Sequence, residues 1–341
     1  MQKVQLTTPA GDTQIVVGEL LSSRLRTLDQ EPILVIDENV LCQHSDIFES
    51  FKSVVVPSGE SYKTLQTVEN LYRDLVKLEA DRSSLIVGVG GGLTTDVAGY
   101  VASTFLRGTP FGFISTTLLG QVDASIGGKN GVNLDGYKNL IGNIRQPNFV
   151  WCDLSLLETL ARKEYISGIA EVIKYGVIRD LRFMEYLEGH MEALLNQEPG
   201  VLEHVVTSSA AIKADVVMKD ERESDLRKIL NFGHTMGHAI ERHKHIRHGE
   251  AVGVGMVLAA RLSNLKGLLS ASEVDRVEQM VRLARLPTGM ELDPEEIYQN
   301  IRKDKKKSGE DVHFILLEGL GQAIVRSISL SELKVIVYDL C

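Results

Sequence analysis

Histidine is concentrated in one short segment of the chain. Five of the nine histidines are His234, His238, His243, His245 and His248. His234 and His238 are four residues apart and would share one face of a helix. Neutral imidazoles bind zinc well, and a catalytic zinc ion takes three protein ligands and keeps one position open. The spacing predicts a buried polar role for this pair, such as metal binding, and a surface position for His243 and His245.

A third ligand could come from Glu171. It lies three residues before Lys174 on one face of an otherwise apolar helical segment, 168–176. A buried charge in such a segment must be paired or bound to a metal. The same spacing also suits an ordinary ion pair between Glu171 and Lys174 on a helix surface. The spacing alone leaves both interpretations open.

A glycine-rich turn at Gly90–Gly92 follows a predicted strand and precedes a predicted helix. Backbone N–H groups at such a turn can bind a pyrophosphate, aided by the partial positive charge of the helix N-terminus. Leu93 stands where the last glycine of G-x-G-x-x-G belongs, so the standard dinucleotide fingerprint is missing. A tight strand–helix turn is therefore almost as compatible with these residues. Asp37, at the end of an earlier strand, could accept hydrogen bonds from a ribose.

The elements that carry these residues change character along the chain. Apolar β-branched runs predict strands at 33–36, 53–56 and 85–89, and helical spacing predicts helices at 67–78 and 96–105. This alternation predicts a parallel sheet that binds ligands at the carboxyl ends of its strands. After about residue 154, helical periods dominate, at 168–178, 201–218, 249–265 and 272–284. A strand signal returns at 312–317.

Composition limits the classes of partner. The net charge of −9, with 43% hydrophobic and 24% charged residues, is typical of a soluble globular protein and disfavours nucleic-acid or membrane binding. An anionic ligand would need a local cationic cluster. The run of charged residues at 302–307, judged on its charge alone, indicates a solvated surface. Cys42, Cys152 and Cys341 show no CxxC spacing, and no signal peptide or membrane segment is evident. A cytoplasmic protein is expected.

Taken together, the motifs resemble those of the 3-dehydroquinate synthase family. The resemblance extends from about residue 33 to residue 317, and its motifs follow one another in the family's order. They lie at 90–99, 104–108, 116–119, 121–130, 138–142, 171–174, 231–234 and 248–250. So many motifs in one order are much more specific than the glycine turn alone.

The resemblance implies a fold, a metal site and an assembly. The fold would be an α/β N-terminal Rossmann-like NAD-binding domain over 1–152 and an all-α C-terminal metal- and substrate-binding domain over 153–341. The active site would lie between them, in a homodimer. The metal ligands would be Glu171, His234 and His248, binding Zn²⁺ or Co²⁺. His238 would then contact the substrate instead of the metal, against the interpretation from helix spacing.

The resemblance also implies the remaining site residues. NAD contacts would come from Asp37, Asn39, Glu60, Lys63, Gly91, Gly92, Asp96, Thr116, Thr117, Asp123, Lys129, Lys138 and Thr159. Substrate contacts would come from Lys129, Asn139, Lys174, Lys213, Arg227, Asn231, His238, Lys305 or Lys306, and Arg107 of a neighbouring subunit. The catalytic residues would be Asp123, Lys129, Lys174 and His238. These cations supply the cluster that a carboxylate and a phosphate require.

The reaction implied is the conversion of 3-deoxy-D-arabino-heptulosonate 7-phosphate to 3-dehydroquinate and phosphate. This is a step of the shikimate pathway to chorismate and the aromatic amino acids. It would proceed by transient oxidation with NAD, β-elimination of phosphate, reduction and an intramolecular aldol step. NAD is regenerated in each turnover, so the enzyme would be a lyase.

Three other functions remain as alternatives. A related sugar phosphate cyclase, such as 2-deoxy-scyllo-inosose synthase or a valiolone synthase, would use the same NAD and metal. Its substrate has no carboxylate, so Arg227 and Lys213 favour the dehydroquinate synthase. A metal-dependent polyol dehydrogenase would explain the glycines and the metal ligands, but not the cationic cluster. A non-catalytic phosphate- or nucleotide-binding protein would not depend on a metal.

Overall fold

The computed structural model describes residues 1–305 and 311–340, with the backbone alone described at 303–305. The chain forms two compact units. The first unit comprises Met1–Tyr165 and Leu202–Arg222, and the second comprises Ile166–Val201 and Glu223–Cys341. The domain boundary expected at residues 152–153 stays a prediction. Within the described ranges, no helix is long and apolar enough to cross a membrane.

The first unit is built on a seven-stranded sheet. Its strands and those of a separate hairpin are β1 (Gln2–Thr8), β2 (Gly11–Gly18), β3 (Ile33–Asp37), β4 (Ser53–Val56), β5 (Ile86–Gly90), β6 (Phe111–Ser115), β7 (Lys129–Leu134), β8 (Tyr137–Ile144) and β9 (Phe149–Asp153). The sheet order is β1-β2-β9-β6-β5-β3-β4, and only the β1–β2 pair is antiparallel. The parallel sheet predicted from the alternation is confirmed. Its central strands β3, β5 and β6 are apolar runs buried on both faces, as parallel strands usually are.

Four helices of the first unit connect these strands: α1 (Glu38–Gln43), α2 (Ser45–Phe48), α3 (Leu65–Lys77) and α4 (Gly92–Thr104). α3 begins after Thr64, whose hydroxyl accepts a hydrogen bond from the Thr67 N–H at 3.2 Å, and it buries the predicted apolar face. The glycine turn is shorter than expected. Gly90 is the last residue of β5 and Gly92 the first of α4, so Gly91 alone connects strand and helix.

The hairpin of β7 and β8 turns at Asp135 and Gly136. Both residues have a positive φ, 50° and 78°, between the paired residues Leu134 and Tyr137. An Asp-Gly pair is the sequence that a two-residue hairpin turn favours, because both positions need the left-handed conformation. The hairpin carries several of the predicted site residues, from Lys129 to Asn139.

The second unit is mainly helical, as predicted. The remaining helices of the chain are α5 (Arg162–Arg179), α6 (Leu181–Leu195), α7 (Pro199–Lys219), α8 (His234–Lys244), α9 (His248–Leu265), α10 (Ala271–Leu283), α11 (Pro294–Lys305) and α12 (Leu330–Leu340). A hairpin of β10 (Asp311–Gly319) and β11 (Gln322–Ser329) is added to them, and only its first strand was expected from the sequence. α9 is buried along almost its whole length, in a core with α8, α11, α12 and β10.

Candidate functional site

Three ligand-type side chains converge in the second unit. Glu171 lies on α5, and His234 and His248 are the first residues of α8 and α9. The Glu171 Oε1 atom is 3.3 Å from His234 Nε2 and 3.1 Å from His248 Nε2. One ligand atom from each of the three residues lies within 4.8 Å of the other two. The structure therefore brings together the three predicted metal ligands, although they are far apart in sequence.

A close backbone contact places His248 against Glu171. The Gly249 N–H donates to Ser167 Oγ at 2.9 Å, and Ser167 lies one helical turn before Glu171. A Cβ atom on Gly249 would lie 2.1 Å from the Ser167 carbonyl oxygen, far inside van der Waals contact. Only glycine allows α9 to begin this close to α5, and His248 is its neighbour.

His234 is oriented by its own backbone segment. Gly233 adopts a left-handed φ of 78° immediately before α8. His234 Nδ1 lies 3.0 Å from the Phe232 carbonyl oxygen, which can only accept, so Nδ1 carries the proton. The Nε2 atom is left to face Glu171. A metal-bound histidine usually has this arrangement, with one ring nitrogen donating to a carbonyl or carboxylate.

Glu171 also forms a buried ion pair with Lys174. The two side chains are 0% and 1% exposed. Burial opposes ionisation of Glu171, but the Lys174 ammonium and His234 outweigh it and hold the pKa of this carboxyl well below its usual range. The ion pair with Lys174 that the spacing allowed is therefore present, but it is buried instead of lying on a helix surface. The same carboxylate faces two imidazoles, and its role as a metal ligand stays a prediction.

The cluster fits a zinc or cobalt ion. Its donor set is one carboxylate oxygen and two imidazole nitrogens, which these metals accept. In a tetrahedral site with bonds of about 2.0–2.1 Å, neighbouring ligand atoms are about 3.3 Å apart. The separations of 3.1 and 3.3 Å from the Glu171 oxygen are close to that value. The residues present can therefore hold the metal that the sequence predicts.

A fourth polar side chain, Glu241 on α8, lies behind His248. Its Oε2 atom is 3.5 Å from His248 Nδ1. Burial disfavours the His248 cation, but hydrogen bonds to Glu171 and Glu241 outweigh it and raise the pKa of His248 to about 9. The rings of His234 and His238 are 5.2 Å apart, edge to face, and His238, Glu241 and His248 also form a compact group. Sequence reasoning missed Glu241.

A cavity of about 280 Å³ in the second unit adjoins these histidines. Asn231, His234 and His238 line it together with Glu223 and Lys228. Asn231 Nδ2 donates to Glu223 Oε1 at 2.5 Å. The 3-10 helix before α8, Leu226–Asn231, also carries Arg227, which is only 2% exposed. Lys306 lies outside the described residues, and of Lys305 only the backbone is described.

In the first unit, Asp37 ends β3 and caps α1. Its Oδ1 atom accepts from the Asn39 N–H at 2.9 Å, and the Ser58 hydroxyl donates to the same carboxylate at 2.9 Å. Asn39 Nδ2 donates to Ser58 Oγ at 2.7 Å. Ser58 therefore connects two predicted NAD contacts, a role that its position in a Pro-Ser-Gly turn did not indicate.

The glycine turn presents backbone at the carboxyl end of β5. A Cβ on Gly91 would lie 2.8 Å from Thr117 Cγ2, so the turn is packed against the segment after β6. Thr117 Oγ1 accepts from the Gly120 N–H at 3.0 Å, and the Thr116 N–H donates to the Gly90 carbonyl at 3.0 Å. Three predicted NAD contacts, Gly91, Thr116 and Thr117, are thus adjacent.

A buried ion pair joins α4 to the segment before α3. Lys63 Nζ lies 2.5 Å from Asp96 Oδ2, and Lys63 is 5% exposed. Burial raises the pKa of Asp96, although the Lys63 ammonium acts against it. Glu60 accepts from Asn133 Nδ2 at 2.8 Å, and Asn133 Oδ1 accepts from the Asn139 N–H at 2.8 Å. Asn133, not predicted, connects a predicted NAD contact with a predicted substrate contact.

The remaining predicted residues of the first unit form two groups and four separate positions. Lys213 Nζ binds both Asp123 Oδ1 and the Asp123 carbonyl at 2.6 Å, at a π-helical turn, Gly120–Ala124. Lys129 lines a cavity of about 400 Å³ together with Asp96 and Asn139. The others are separate. Gly92 begins α4, and Arg107 is exposed after that helix. Lys138 is exposed on β8, and the Thr159 hydroxyl forms a hydrogen bond with His44 Nε2 at 2.8 Å.

Family models match most of the chain. The model described as 3-dehydroquinate synthase N-terminal matches residues 53–167, and the one described as 3-dehydroquinate synthase C-terminal matches residues 168–307. A 3-dehydroquinate synthase from Geotalea uraniireducens (strain Rf4) is 42% identical over 284 residues, which cover 82% of this chain and 79% of that protein.

Two solved structures are similar over the whole chain. One is 2-deoxy-scyllo-inosose synthase complexed with carbaglucose-6-phosphate, NAD⁺ and Co²⁺, at 27% identity and a TM-score of 0.89, with 100% of each chain covered. The other is 2-epi-5-epi-valiolone synthase from Streptomyces hygroscopicus subsp. jinggangensis 5008 with NAD⁺ and Zn²⁺. It is 26% identical, with a TM-score of 0.87 over 100% of this chain and 98% of that one.

Proposed function

This chain belongs to the 3-dehydroquinate synthase family, and on that premise we propose that it converts 3-deoxy-D-arabino-heptulosonate 7-phosphate to 3-dehydroquinate and phosphate. NAD would be reduced and reoxidised within each turnover, which makes the enzyme a lyase of the shikimate pathway. The observation that carries the proposal is the cluster of Glu171, His234 and His248 in a chain that both family models match.

In this proposal Glu171, His234 and His248 hold Zn²⁺ or Co²⁺. When bound, the metal would polarise a substrate hydroxyl and so ease its oxidation. The buried Lys174 ammonium beside Glu171 would stabilise an oxyanion on the substrate at the same place. His238, whose ring lies 5.2 Å from that of His234, would position a substrate hydroxyl next to the ligands.

The polar side chains of the first unit would bind NAD and part of the substrate. Asp37 and Asn39 would bind the adenosine ribose, and the backbone at Gly91 and Gly92 the pyrophosphate. The predicted contacts Glu60, Lys63, Asp96, Thr116, Thr117, Lys138 and Thr159 complete this set. Asp123 and Lys129 would hold substrate hydroxyls and move their protons; Asp123 already has a cationic partner in Lys213.

The anionic groups of the substrate would be held by cations. Arg227 is almost fully buried, and a guanidinium can bind the substrate carboxylate through two parallel hydrogen bonds. Asn231 in the second unit, Lys213 and Asn139 in the first, and one of Lys305 and Lys306 would add further contacts. A cyclase acting on a substrate without a carboxylate has less need of Arg227, and the solved cyclases are more distant, at 27% and 26% identity.

One assay tests the reaction. The heptulosonate phosphate is supplied with a catalytic amount of NAD⁺ and with Zn²⁺, and phosphate, dehydroquinate and NADH are followed together. The proposal predicts one phosphate and one dehydroquinate per substrate consumed, with no net NADH. Parallel reactions with glycerol and with glucose 6-phosphate test the alternatives. Accumulation of NADH in proportion to oxidised glycerol would identify a dehydrogenase, and phosphate release from glucose 6-phosphate a different cyclase.

We further propose a homodimer in which Arg107 serves the partner's site. Leu106 and Arg107 are exposed and have positive φ values of 48° and 71°, so this turn presents the guanidinium to solvent. The test mixes two inactive variants, Glu171→Ala and Arg107→Ala, under conditions that exchange subunits. If Arg107 acts across the dimer, each mixed dimer has one intact site and activity returns to about a quarter of the parental value. No recovery would mean that Arg107 acts within its own subunit.

The proposed location is the cytoplasm. Cys42 is exposed and free, and Cys152 is buried and free. Free thiols are typical of a reducing compartment. Cell fractionation would test this, and recovery of the protein from a membrane or secreted fraction would contradict it.

A further inference from the structure

We propose that Glu241 is a positioning residue for the metal: it fixes the His248 ring so that Nε2 points at the metal position. The inference rests on the proposed metal role of Glu171, His234 and His248. It assigns to Glu241 a part that neither the spacing of the histidines nor the family's motifs indicated. Glu241 itself touches neither the metal nor the substrate in this proposal.

The two nitrogens of His248 face two different carboxylates. Nε2 is 3.1 Å from Glu171 Oε1, and Nδ1 is 3.5 Å from Glu241 Oε2. A metal bound at Nε2 takes the lone pair of that atom, so the ring proton must be on Nδ1. Glu241 is the carboxylate placed to accept that proton's hydrogen bond. A carboxylate in this position selects the tautomer, holds the ring in plane and makes the imidazole a stronger ligand.

A different hydrogen-bond partner fixes the same tautomer in His234. Its Nδ1 atom donates to the Phe232 carbonyl at 3.0 Å, within the turn that leads into α8. Both histidines thus have Nδ1 directed at an acceptor and Nε2 directed at Glu171. The two acceptors differ in one respect: a mutation can remove the Glu241 carboxylate but not the backbone carbonyl. Glu241 is therefore the point at which this arrangement can be tested.

The chain bends so that Glu241 can reach His248. His245 has a left-handed φ of 52° and ends α8, and α9 begins only three residues later. The Glu241 side chain is 15% exposed and the His248 side chain 27%. A mostly buried carboxylate beside a ligand histidine has lost most of its hydration. Placing it there costs more free energy than forming an ion pair on the surface.

The experiment measures zinc affinity, by competition with a chromophoric chelator, for the parent, Glu241→Ala and Glu241→Gln. We expect zinc binding to weaken about 10- to 100-fold in Glu241→Ala. Glu241→Gln keeps an oxygen that accepts from Nδ1, so it should recover a large part of that loss. The visible spectrum of the cobalt-loaded protein, which reports ligand geometry, should change in Glu241→Ala and return towards the parental spectrum in Glu241→Gln.

A matched control lies on the same helix. His243, also on α8, forms an ion pair with Glu296, outside the ligand cluster. Glu296→Ala removes a carboxylate partner from a histidine of α8 and should leave zinc affinity and the cobalt spectrum unchanged. If Glu241→Ala and Glu296→Ala behave alike, Glu241 has no special role and the inference is wrong.

Two further outcomes would overturn the inference. If Glu241→Ala and Glu241→Gln lower the melting temperature but keep zinc affinity within about twofold, Glu241 supports the fold only. If the parent binds two zinc ions and the Glu241 variants lose one, the compact group of His238, Glu241 and His248 is a metal site in its own right. Glu171→Ala separates these results from a failure of the proposed function, because unchanged zinc affinity in that variant would refute the whole ligand set.

Discussion

The ligand cluster of the second unit and the rim of the first unit at Asn39 and Glu60 hold their predicted site residues in opposite ways. In the second unit, Glu171 and Lys174 are completely buried, and glycine and backbone contacts fix the histidines around them. In the first unit, Asn39 and Glu60 are exposed and make their hydrogen bonds at the rim of a sheet. A buried charge that loses its partner is costly, whereas an exposed hydrogen bond contributes little. Substitutions in the ligand cluster should therefore have larger effects than substitutions at this rim.

The largest effect is expected from Glu171→Ala. This variant loses a proposed ligand and should bind no zinc, so turnover should fall by about a thousandfold or more. It also leaves the Lys174 ammonium buried without its carboxylate, which should lower the free energy of unfolding by about 3 kcal/mol. Zinc analysis, steady-state kinetics and urea unfolding of the metal-free protein measure the three quantities.

A second substitution separates the two roles of Glu171. Lys174→Met, added to Glu171→Ala, removes the buried ammonium that has lost the Glu171 carboxylate, and it should restore much of the lost stability without restoring zinc binding. Recovery of zinc binding in the double variant would mean that Glu171 is not a ligand and acts only as the partner of Lys174.

Zinc affinity should depend strongly on pH. In the metal-free protein the pKa of His248 is raised to about 9, and zinc must displace that proton. Affinity should therefore rise about tenfold per pH unit from pH 7 and level off above about pH 9. The stability of the metal-free protein should change in the opposite direction, because the protonated imidazole stabilises it and is lost as pH rises through about 9. An affinity independent of pH above pH 7 would mean that the His248 imidazole is already neutral in the metal-free protein, and that Glu171 and Glu241 do not raise its pKa.

Two glycine substitutions should separate the units. Gly249→Ala places a methyl group against the Ser167 carbonyl, so α9 must shift and carry His248 away from Glu171. We expect zinc affinity to fall about tenfold and stability by about 1–3 kcal/mol. Gly91→Ala meets the Thr117 side chain instead and should weaken NAD binding. Calorimetric titrations with zinc and NAD⁺ measure both affinities.

Gly189→Ala is the control for these variants. Gly189 lies on α6, and a Cβ there would meet no heavy atom within 4 Å. The substitution should leave both affinities unchanged and raise stability by about 0.5–1 kcal/mol, because alanine favours a helix. If Gly249→Ala is as harmless as Gly189→Ala, the close approach of α9 to α5 does not position His248.

The smallest effect is expected at Ser58. Ser58→Ala removes the hydroxyl that donates to Asp37 and accepts from Asn39, both at the exposed end of β3. The hydrogen bonds from the Asn39 and Val40 N–H groups still hold Asp37, so NAD affinity should fall only about two- to fivefold. Fluorescence titration with NADH measures it. If Ser58→Ala lowered NAD affinity as much as Gly91→Ala, the exposed hydrogen bonds of Ser58 would contribute as much as the glycine turn, which would contradict this expectation.

Much of the fold could be predicted because its signals are local. The strands at 33–36, 53–56 and 85–89 are short apolar β-branched runs, and each lies within a strand of the sheet or overlaps it closely. The helical periods after residue 154 are likewise confirmed by α5, α7, α9 and α10. Hydrophobic periodicity is set by the face that each element buries, so it can be read without knowing the neighbours.

The rest depends on contacts between distant segments. Glu241 lies in a polar run that reads as surface, and only the left-handed turn at His245 returns the chain so that His248 meets it. Ser58 lies in a turn and Asn133 in a strand, and neither position indicates a part in a site. Their hydrogen bonds to Asp37 and Glu60 form only when the fold brings these segments together. The spacing of the histidines also favoured His238 as a ligand. Only the resemblance to a family assigned that role to His248. The contact of its neighbour Gly249 with α5, which brings His248 to Glu171, joins segments far apart in sequence.

Anomalous diffraction at the zinc edge, from crystals of the protein loaded with one equivalent of zinc, tests the ligand set most directly. We expect one strong peak about 2.0–2.2 Å from a Glu171 carboxylate oxygen, His234 Nε2 and His248 Nε2. The His248 Nδ1 atom should remain directed at Glu241. A peak bound by His238 and Glu241 instead, or no peak near Glu171, would contradict that ligand set.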